Sequence, residues 1–364
     1  MNSTGRGITR RAAIVAMAAV VAGTRLRAQA AVSTLIGTGA PGLSDREVNN
    51  PYGVIVGPDG ALYFCDLDNQ RIRRIDLASG RTSVVAGSGV RGWSGDGGPA
   101  ADAALNMPHE IQFDPRGHLY IAERDSHVVR RVEANTGRIS TVAGTGVAGF
   151  GGDGGPGAAA QLRQPHAIAL DGRSGLLICD IGNQRIRRLD LETGSIDTFA
   201  GTGVAQATPD GAPRIGTPLQ GPRTLALAPD GTLYLALREG NAVLRLDRPT
   251  DTWHRVAGAG GRNGYGGDDG PALQAQLGGP KGLALDSRRQ WLFVADTENH
   301  VIRRVDLRTG GITTVLGTGE RGDGPDTDPR QCRMARPHGL CVHPTTGALY
   351  VTDSEAHRIR VLRH

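Results

Sequence analysis

The sequence repeats itself six times with an almost constant period, and this repetition constrains the fold more than any other feature. The segment "NPYGVIVGPDGALYFCDLDNQRIRRIDLASGRTSVVAGSG" at 50–89 recurs as "MPHEIQFDPRGHLYIAERDSHVVRRVEANTGRISTVAGTG" at 107–146 and four more times. The repeats start near residues 51, 108, 165, 222, 280 and 337, each at a proline, so the period is 57 residues with one step of 58. Such a period indicates an array of supersecondary units.

Each repeat contains four short apolar runs separated by glycine-rich turns. In the second repeat these runs are "EIQFDP", "LYIAER", "VVRRVEA" and "ISTVAGT". Their β-branched residues and their spacing of about ten residues are typical of a four-stranded antiparallel sheet. The chain is therefore predicted to be all-β, a six-bladed β-propeller with one sheet per repeat.

The two ends of the repeat region predict how the ring closes. The last repeat stops after three predicted strands, with "RIRVLRH". The segment "STLIGTG" at 33–39 resembles the fourth-strand sequence "TVAGTG" but does not belong to a complete repeat. We therefore expect the N-terminal strand to complete blade six. Closure of this kind removes exposed sheet edges, and it assigns residues 31–364 to one propeller domain.

One segment of each repeat carries a family resemblance. "DNQRIRRID", "GNQRIRRLD", "ENHVIRRVD" and "EAHRIRVLR" resemble the NHL repeat family, and the resemblance extends over residues 33–364. It implies a propeller fold, but it implies little about function, because NHL propellers include binding modules, scaffolds and an enzyme class. His127, His300 and His357 fall at the histidine position of this segment, so we expect them to serve the scaffold.

The first thirty residues are typical of an export signal. Arg10 and Arg11 precede an apolar stretch, Ala12 to Ala22, and Ala28-Gln29-Ala30 resembles a cleavage site. The arginine pair suggests the twin-arginine type, with ordinary secretion as the alternative, and predicts a periplasmic or secreted protein. The apolar stretch is short for a membrane span, so no transmembrane segment is expected in the mature chain.

Charge argues against nucleic acid as a partner. Residues 1–30 contain five arginines and no acids, which leaves 36 basic and 36 acidic residues in the rest of the chain. A neutral chain lacks the electrostatic attraction that proteins use to bind a polyphosphate.

The residue directly after each leading proline is large and polar in all six repeats. This ring position opens the innermost strand of each blade, and in a propeller those strand entries surround one mouth of the central channel. A solvated channel mouth that tolerates any polar residue is the simple alternative. Against it, three of the ten histidines and the only lysine of the chain occupy this one position, which reads Tyr52, His109, His166, Arg223, Lys281 and His338.

The ring residues suggest a metal site beside an anion site. Neutral imidazoles of His109, His166 and His338 can bind a divalent transition metal, with zinc favoured. The ring position is also similar to that of the peptidyl-α-hydroxyglycine α-amidating lyase, and this resemblance implies that the three histidines hold zinc beside a catalytic arginine and tyrosine. Arg223 and Lys281 are neighbours around the ring and together suit a carboxylate or another small anion.

Two functional hypotheses follow from this ring. The first is an exported, metal-dependent lyase or hydrolase that acts on a small anionic substrate, with Tyr52, Arg223 and Lys281 as catalytic residues and Tyr52 as a proton donor. The second is a noncatalytic propeller scaffold in the cell envelope that holds a peptide, a glycan or a protein.

The loops after the fourth strands and two cysteines leave further alternatives open. Asp96, Asp153 and Asp268 suggest calcium, but one aspartate per blade spreads the carboxylates, so Asp-Gly turns are favoured and calcium is not expected. The aromatic residues of the same loops either form a contact surface or pack on the blades beneath; they are Trp93, Phe150 and Tyr265. Cys332 and Cys341 lie on either side of His338 and either form a local disulfide or stay reduced.

Overall fold

Six antiparallel sheets form a closed ring in the computed structural model, which describes Met1, residues 30–286 and residues 288–363. The innermost strands of neighbouring sheets contact one another in cyclic order around a central channel. The predicted six-bladed, all-β propeller is therefore confirmed. The predicted export signal lies outside the described residues. In the part of the chain that the structure describes, no helix is both long and apolar enough to cross a membrane.

The strands follow one order in every blade, from the inner strand at the channel to the outer strand. Blade one contains β2 (Pro51–Val56), β3 (Leu62–Asp66), β4 (Arg71–Ile75) and β5 (Thr82–Ala86), and blade two contains β6 (Pro108–Phe113), β7 (Leu119–Glu123), β8 (Val128–Val132) and β9 (Ile139–Ala143). Blade three contains β11 (Pro165–Leu170), β12 (Gly175–Asp180), β13 (Arg185–Asp190) and β14 (Ser195–Ala200), and blade four contains β16 (Pro222–Leu227), β17 (Leu233–Leu237), β18 (Ala242–Asp247) and β19 (Thr252–Ala257). Blade five contains β21 (Gly282–Asp286), β22 (Trp291–Asp296), β23 (Val301–Asp306) and β24 (Gly311–Leu316), and blade six contains β25 (Pro337–Val342), β26 (Leu349–Asp353), β27 (Arg358–Arg363) and β1 (Ala31–Ile36).

The linkers between blades add short elements to this frame. Two-residue strands extend the outer edges of blades three, four and five, which therefore have five strands; they are β10 (Gly155–Pro156), β15 (Ala212–Pro213) and β20 (Gly270–Pro271). Single 3₁₀ turns cover Leu67–Asn69, Ala100–Asp102, Gly157–Ala159, Ile181–Asn183, Ala272–Gln274, Thr297–Asn299 and Ser354–Ala356. The core lies between neighbouring sheets, where Leu177 of blade three packs with Leu235 and Trp253 of blade four. Because both faces of a blade are covered, the second strand of each blade is almost continuously apolar.

Blade six joins the two ends of the repeat region, as predicted. β1 pairs antiparallel with β27, and Ala31 lies opposite Arg363. The strand runs over Ala31–Ile36 instead of the predicted 33–39 because Gly37 adopts a φ of 107°. A Cβ on Gly37 would lie 2.2 Å from the carbonyl oxygen of His357, so this position requires glycine and ends the strand.

One hydrogen bond joins each blade to the next and closes the ring. A Gln, His or Asn side chain after the second strand accepts the backbone N–H of the residue that precedes the next leading proline. We call these contacts the junction bonds. Their acceptors and donors are Gln70 with Met107, His127 with Gln164, Gln184 with Gly221, Asn241 with Gly279, His300 with Arg336, and His357 with Asn50, at 2.7–3.1 Å. The three histidines of the NHL segment thus have a scaffold role.

A buried acid–arginine pair stabilises five of the six blades. In blade three, Asp180 and Arg187 are both fully buried, and Arg187 also binds the loop carboxylate of Asp153 at 2.5 Å. The equivalent pairs are Asp66 with Arg73, Glu123 with Arg130, Asp296 with Arg303, and Asp353 with Arg360. Blade four has leucine at both positions, Leu237 and Leu244. Well-packed apolar residues can substitute for a buried ion pair, whereas one member alone cannot.

The loop aspartates and aromatic residues pack on the blades. Asp96, Asp153 and Asp268 each form an ion pair with the buried arginine of a blade. Trp93 donates to Thr141, and a Cβ on Gly146 of the next linker would lie 2.1 Å from its ring. These contacts hold the linkers, although the aromatic rings stay partly exposed.

The two cysteines near His338 do not form the disulfide that was one of the predicted alternatives; both are free. Cys332 packs with Phe293 between blades five and six, whereas Cys341 packs against the cluster that contains Val54, between blades six and one. The two thiols therefore lie on opposite faces of blade six.

Candidate functional site

Four of the six ring residues form a continuous layer of rings across the mouth of the channel. The ring of Tyr52 stacks on His338 with a centroid distance of 4.0 Å and meets His109 edge-on at 4.4 Å. His109 in turn contacts His166 at 4.4 Å. The shared repeat position brings these side chains together because each starts an inner strand. We call these four residues, together with Arg223, which contacts His109, the ring layer.

Hydrogen bonds fix which nitrogen of each imidazole carries the proton. His166 Nδ1 lies 2.8 Å from the backbone carbonyl of Gln164 and donates to it, so Nε2 keeps its lone pair. His338 Nδ1 donates to Ser354 Oγ at 2.9 Å, because that hydroxyl donates its own proton to the carbonyl of Pro51. Two of the three histidines therefore have an Nε2 that can accept a proton.

His109 has the opposite tautomer because of Arg223. Arg223 Nη2 lies 3.4 Å from His109 Nδ1, and a guanidinium only donates, so the proton of the imidazole lies on Nε2. Burial, together with the nearby charge of Arg223, lowers the pKa of His109 well below its usual value. Burial also lowers the pKa of His166 and His338, and the three imidazoles are neutral near pH 7.

Arg223 is a buried cation without a carboxylate partner. Its exposed fraction is 3%, and among the described residues it forms no ion pair. Burial lowers the pKa of its guanidinium to about 10. A cation withdrawn from water without an anionic partner destabilises a protein, so a ligand that supplies a negative charge would find a prepared position here.

Lys281 lies beside the ring layer, and its ammonium already has a partner. Lys281 Nζ donates to Glu298 Oε1 at 2.7 Å, and the side chain is 6% exposed. Burial lowers the pKa of Lys281 to about 8, although Glu298 acts in the opposite direction. The predicted anion receptor of Arg223 and Lys281 stays a prediction, in which the ammonium of Lys281 is paired with Glu298 and Arg223 forms no ion pair among the described residues.

Three arginines that the sequence analysis missed line the rim of the mouth. Arg124 and Arg238 follow the second strands of blades two and four, and Arg336 precedes the leading proline of blade six. Each is paired with a neighbouring acid. Arg124 contacts Asp125 at 2.6 Å, Arg238 contacts Glu239, and Arg336 bridges Glu298 and Glu355 at 2.7 and 2.8 Å. The rim is therefore close to neutral, and Arg223 beneath it contributes the excess positive charge.

Two hollows open between these groups. One of about 260 Å³ has Arg124 and Arg238 on its walls and His166 on its floor. The second, of about 450 Å³, lies above Lys281 between Arg238 and Arg336. The first hollow combines guanidinium groups, which bind carboxylates, with an imidazole that has a free Nε2.

The three predicted zinc ligands, His109, His166 and His338, do not present equivalent ring nitrogens. Among residues 30–286 and 288–363, no group of three or more His, Cys, Asp and Glu side chains is arranged to hold a metal ion. His166 and His338 offer free ring nitrogens, but His109 would have to give up its contact with Arg223 to offer Nε2. The residues in this arrangement therefore do not fit a three-histidine centre, and zinc at the mouth stays a prediction.

The ion pair of Glu298 should make the free energy of unfolding depend on pH. Partial burial alone would raise the pKa of Glu298, but hydrogen bonds from Arg336 and Lys281 lower it to about 2. Its stabilising effect is therefore present above pH 4.5 and is lost as the pH falls toward 2. Since the carboxylate is 45% exposed, Glu298→Gln should lower the free energy of unfolding by only about 1 kcal/mol at pH 7.

Urea unfolding at pH 7, 5 and 3 measures this difference. The gap between the parent protein and Glu298→Gln should be clearly smaller at pH 3 than at pH 7, because Glu298 is then mostly protonated in the unfolded protein but still mostly ionised in the folded one. Glu320→Gln is the matched control, since Glu320 is exposed and lies outside this network. A gap for Glu298→Gln that stays constant over the three pH values would contradict the assignment.

Comparison with known proteins agrees with the repeat architecture. The NHL repeat family model matches residues 334–362. NHL repeat-containing protein 2 of Homo sapiens is 29% identical over 328 residues, covering 88% of this chain and 39% of its own length. The chain thus spans about two fifths of that relative.

Three solved structures are similar in fold at low sequence identity. An auxiliary nutrient binding protein from Bacteroides thetaiotaomicron has a TM-score of 0.67 at 16% identity and covers 92% of this chain and 76% of its own. A gluconolactonase from Xanthomonas campestris has a TM-score of 0.57 at 15% identity, with 92% and 89% covered. A streptogramin B lyase has a TM-score of 0.55 at 13% identity, with 92% and 97% covered. The repeats and the closed ring give the chain the six-bladed β-propeller fold, and the comparisons show an NHL repeat at residues 334–362 and similarity to an NHL repeat-containing protein over most of the chain.

Proposed function

We propose that the chain binds a small anionic substrate at the mouth of its central channel and acts on it as a lyase or a hydrolase. The observation that carries the proposal is Arg223, a buried guanidinium with no carboxylate partner among the described residues, in contact with the neutral imidazole of His109. An anion in the hollow above His166 would supply negative charge close to Arg223, which acts electrostatically on His166 but does not line that hollow. Enzymes and binding proteins commonly keep such destabilising groups where a ligand compensates them.

The chemistry that the hollow favours is proton removal next to a bound carboxylate. Arg124 and Arg238 each have donors left over from their ion pairs, because a guanidinium has five N–H groups. They can orient the anion while His166 Nε2 accepts a proton from the adjacent carbon or from a water molecule. Tyr52 supplies a hydroxyl that has no hydrogen-bond partner among the described side chains and can protonate a leaving group. Lyases and hydrolases share this first step.

Thermal unfolding with malonate as the probe tests the anion site. The midpoint should rise with malonate concentration, because a ligand that binds only the folded state stabilises it. The rise should disappear in Arg223→Met and weaken less in Lys281→Ala, whose ammonium is already paired with Glu298. Arg81→Met, at an exposed position, is the control. An equal rise in Arg223→Met, or the same rise with sodium chloride at matched ionic strength, would overturn the proposal.

The predicted zinc ion is tested separately by metal analysis of the purified protein. About one equivalent of zinc that is lost in a His166→Ala, His338→Ala double variant would support a metal centre. The proposal for the anion does not depend on the metal. A metal-free, folded protein that still responds to malonate would contradict the zinc prediction and leave the anion site in place.

A noncatalytic propeller is the second candidate function, and the exposed aromatic residues of the linkers favour it. Trp93, Phe150 and Tyr265 remain 42–44% exposed, and aromatic faces of this kind bind sugars and peptides. In this case the double variant Trp93→Ala, Phe150→Ala should no longer bind the glycan or peptide partner, whereas malonate should still raise its unfolding midpoint. We also propose that the chain is exported, on the basis of the charge and apolar pattern of residues 1–30.

A further inference from the structure

The central channel is a second cavity, separate from the mouth. It has a volume of about 460 Å³ and is lined by the inner strands of all six blades. The residues that line it and those that line the two hollows at the mouth share no member. The contacts within the ring layer lie between them. A molecule in the channel would therefore enter from the opposite face.

Most side chains along the channel are apolar. The position two residues after each ring residue contributes one aliphatic side chain per blade, namely Val54, Ile111, Ile168, Leu225, Leu283 and Leu340. Their exposed fractions lie between 2% and 8%. Six-residue strands span about 20 Å, so the channel suits an elongated ligand with an apolar body.

One carboxylate interrupts this lining directly beneath the ring layer. Glu110 follows His109, at a repeat position where the other blades have Gly53, Ala167, Thr224, Gly282 and Gly339. Gly53 provides the space, because a Cβ there would lie 2.3 Å from Glu110 Oε1. The carboxylate accepts the N–H of Ile111 at 3.2 Å.

Glu110 has no ion-pair partner among the described residues. Arg223 acts on it electrostatically from the ring layer, but the two side chains do not form an ion pair. The cavity thus has one carboxylate, Glu110, at its inner end, and the rest of its described lining is mostly apolar, with Gln112, Thr224 and Cys341 as the other polar members. Charge complementarity selects a positively charged group for the position beside Glu110.

We propose that the central channel binds an organic cation, a primary amine with an apolar body, with its ammonium against Glu110 and its body along the aliphatic ring. This inference concerns a different cavity from the mouth and does not depend on the proposed reaction there. Octylamine is the probe, and octanol and octanoate are matched molecules of the same length with neutral and negative head groups. Calorimetric titration of the full chain measures all three.

The parent protein should bind octylamine at least about ten-fold more tightly than octanol or octanoate, as expected for a charge-assisted hydrogen bond. Glu110→Gln should remove this preference while leaving octanol binding unchanged. Glu320→Gln, the same change at an exposed position outside the channel, is the control that should retain it. Saturating malonate should not displace octylamine, which separates this site from the mouth.

Two results would overturn the proposal. One is octanoate or octanol binding as tightly as octylamine to the parent protein, a comparison that needs no variant and holds even if Glu110→Gln does not fold. The other is unchanged octylamine binding in folded Glu110→Gln. Loss of the malonate response with octylamine binding intact would refute only the function proposed for the mouth.

Discussion

Replacing Arg223 with methionine is expected to raise the free energy of unfolding by about 1–3 kcal/mol, since it removes a buried charge that forms no ion pair among the described residues. Methionine has a similar length and adapts to irregular space, so it can fill the volume beside His109. The same change should abolish stabilisation by malonate. A gain in stability that accompanies a loss of binding is typical of a residue kept for function.

Urea unfolding without added anions measures the gain, and thermal unfolding with malonate measures the loss. Arg223→Lys is a useful companion, because it keeps the charge but not the planar fork that pairs with a carboxylate. It should stay at or below the stability of the parent. If Arg223→Met is instead less stable than the parent by several kcal/mol, Arg223 belongs to the scaffold and the anion site is refuted.

Replacing Arg187 with methionine should have the opposite effect and cost about 3–5 kcal/mol, because breaking a buried ion pair leaves its acids uncompensated. Arg187 is fully buried like Arg223, but it pairs with Asp180 and Asp153. Chemical unfolding measures the loss. Asp180→Leu, Arg187→Leu reproduces the arrangement of blade four and should recover much of it. A double variant that is no more stable than Arg187→Met would show that blade four depends on other contacts.

The repeat pattern was sufficient to predict the blades, the closing strand and the position of the ring layer. These follow from the periodicity of the backbone, which every copy shares. The repeats also contain a second pattern of acidic residues, two positions after the residue that is a buried acid in five blades. This position reads Asp68, Asp125, Gly182, Glu239, Glu298 and Glu355. Five acids around the mouth could have predicted that Lys281 and the rim arginines are paired.

The proton positions of the ring layer could not be predicted from the sequence. They depend on contacts between blades, such as the hydroxyl of Ser354 donating to the carbonyl of Pro51. The contact of Arg223 with His109 joins blades four and two and has no counterpart in the repeat. The state of the two cysteines could not be predicted either, since Cys332 and Cys341 are close in sequence but lie on opposite faces of one sheet.

The junction bonds make the six blade-to-blade contacts of the ring chemically unequal. An amide oxygen of Gln or Asn accepts a hydrogen bond at any pH, whereas Nδ1 of a histidine stops accepting once it is protonated. Blade six has a junction bond to a histidine on each side, to His300 on one side and through His357 on the other. It also contains the strand β1, which joins the two ends of the ring. Acid therefore weakens the ring at the blade where the chain closes on itself.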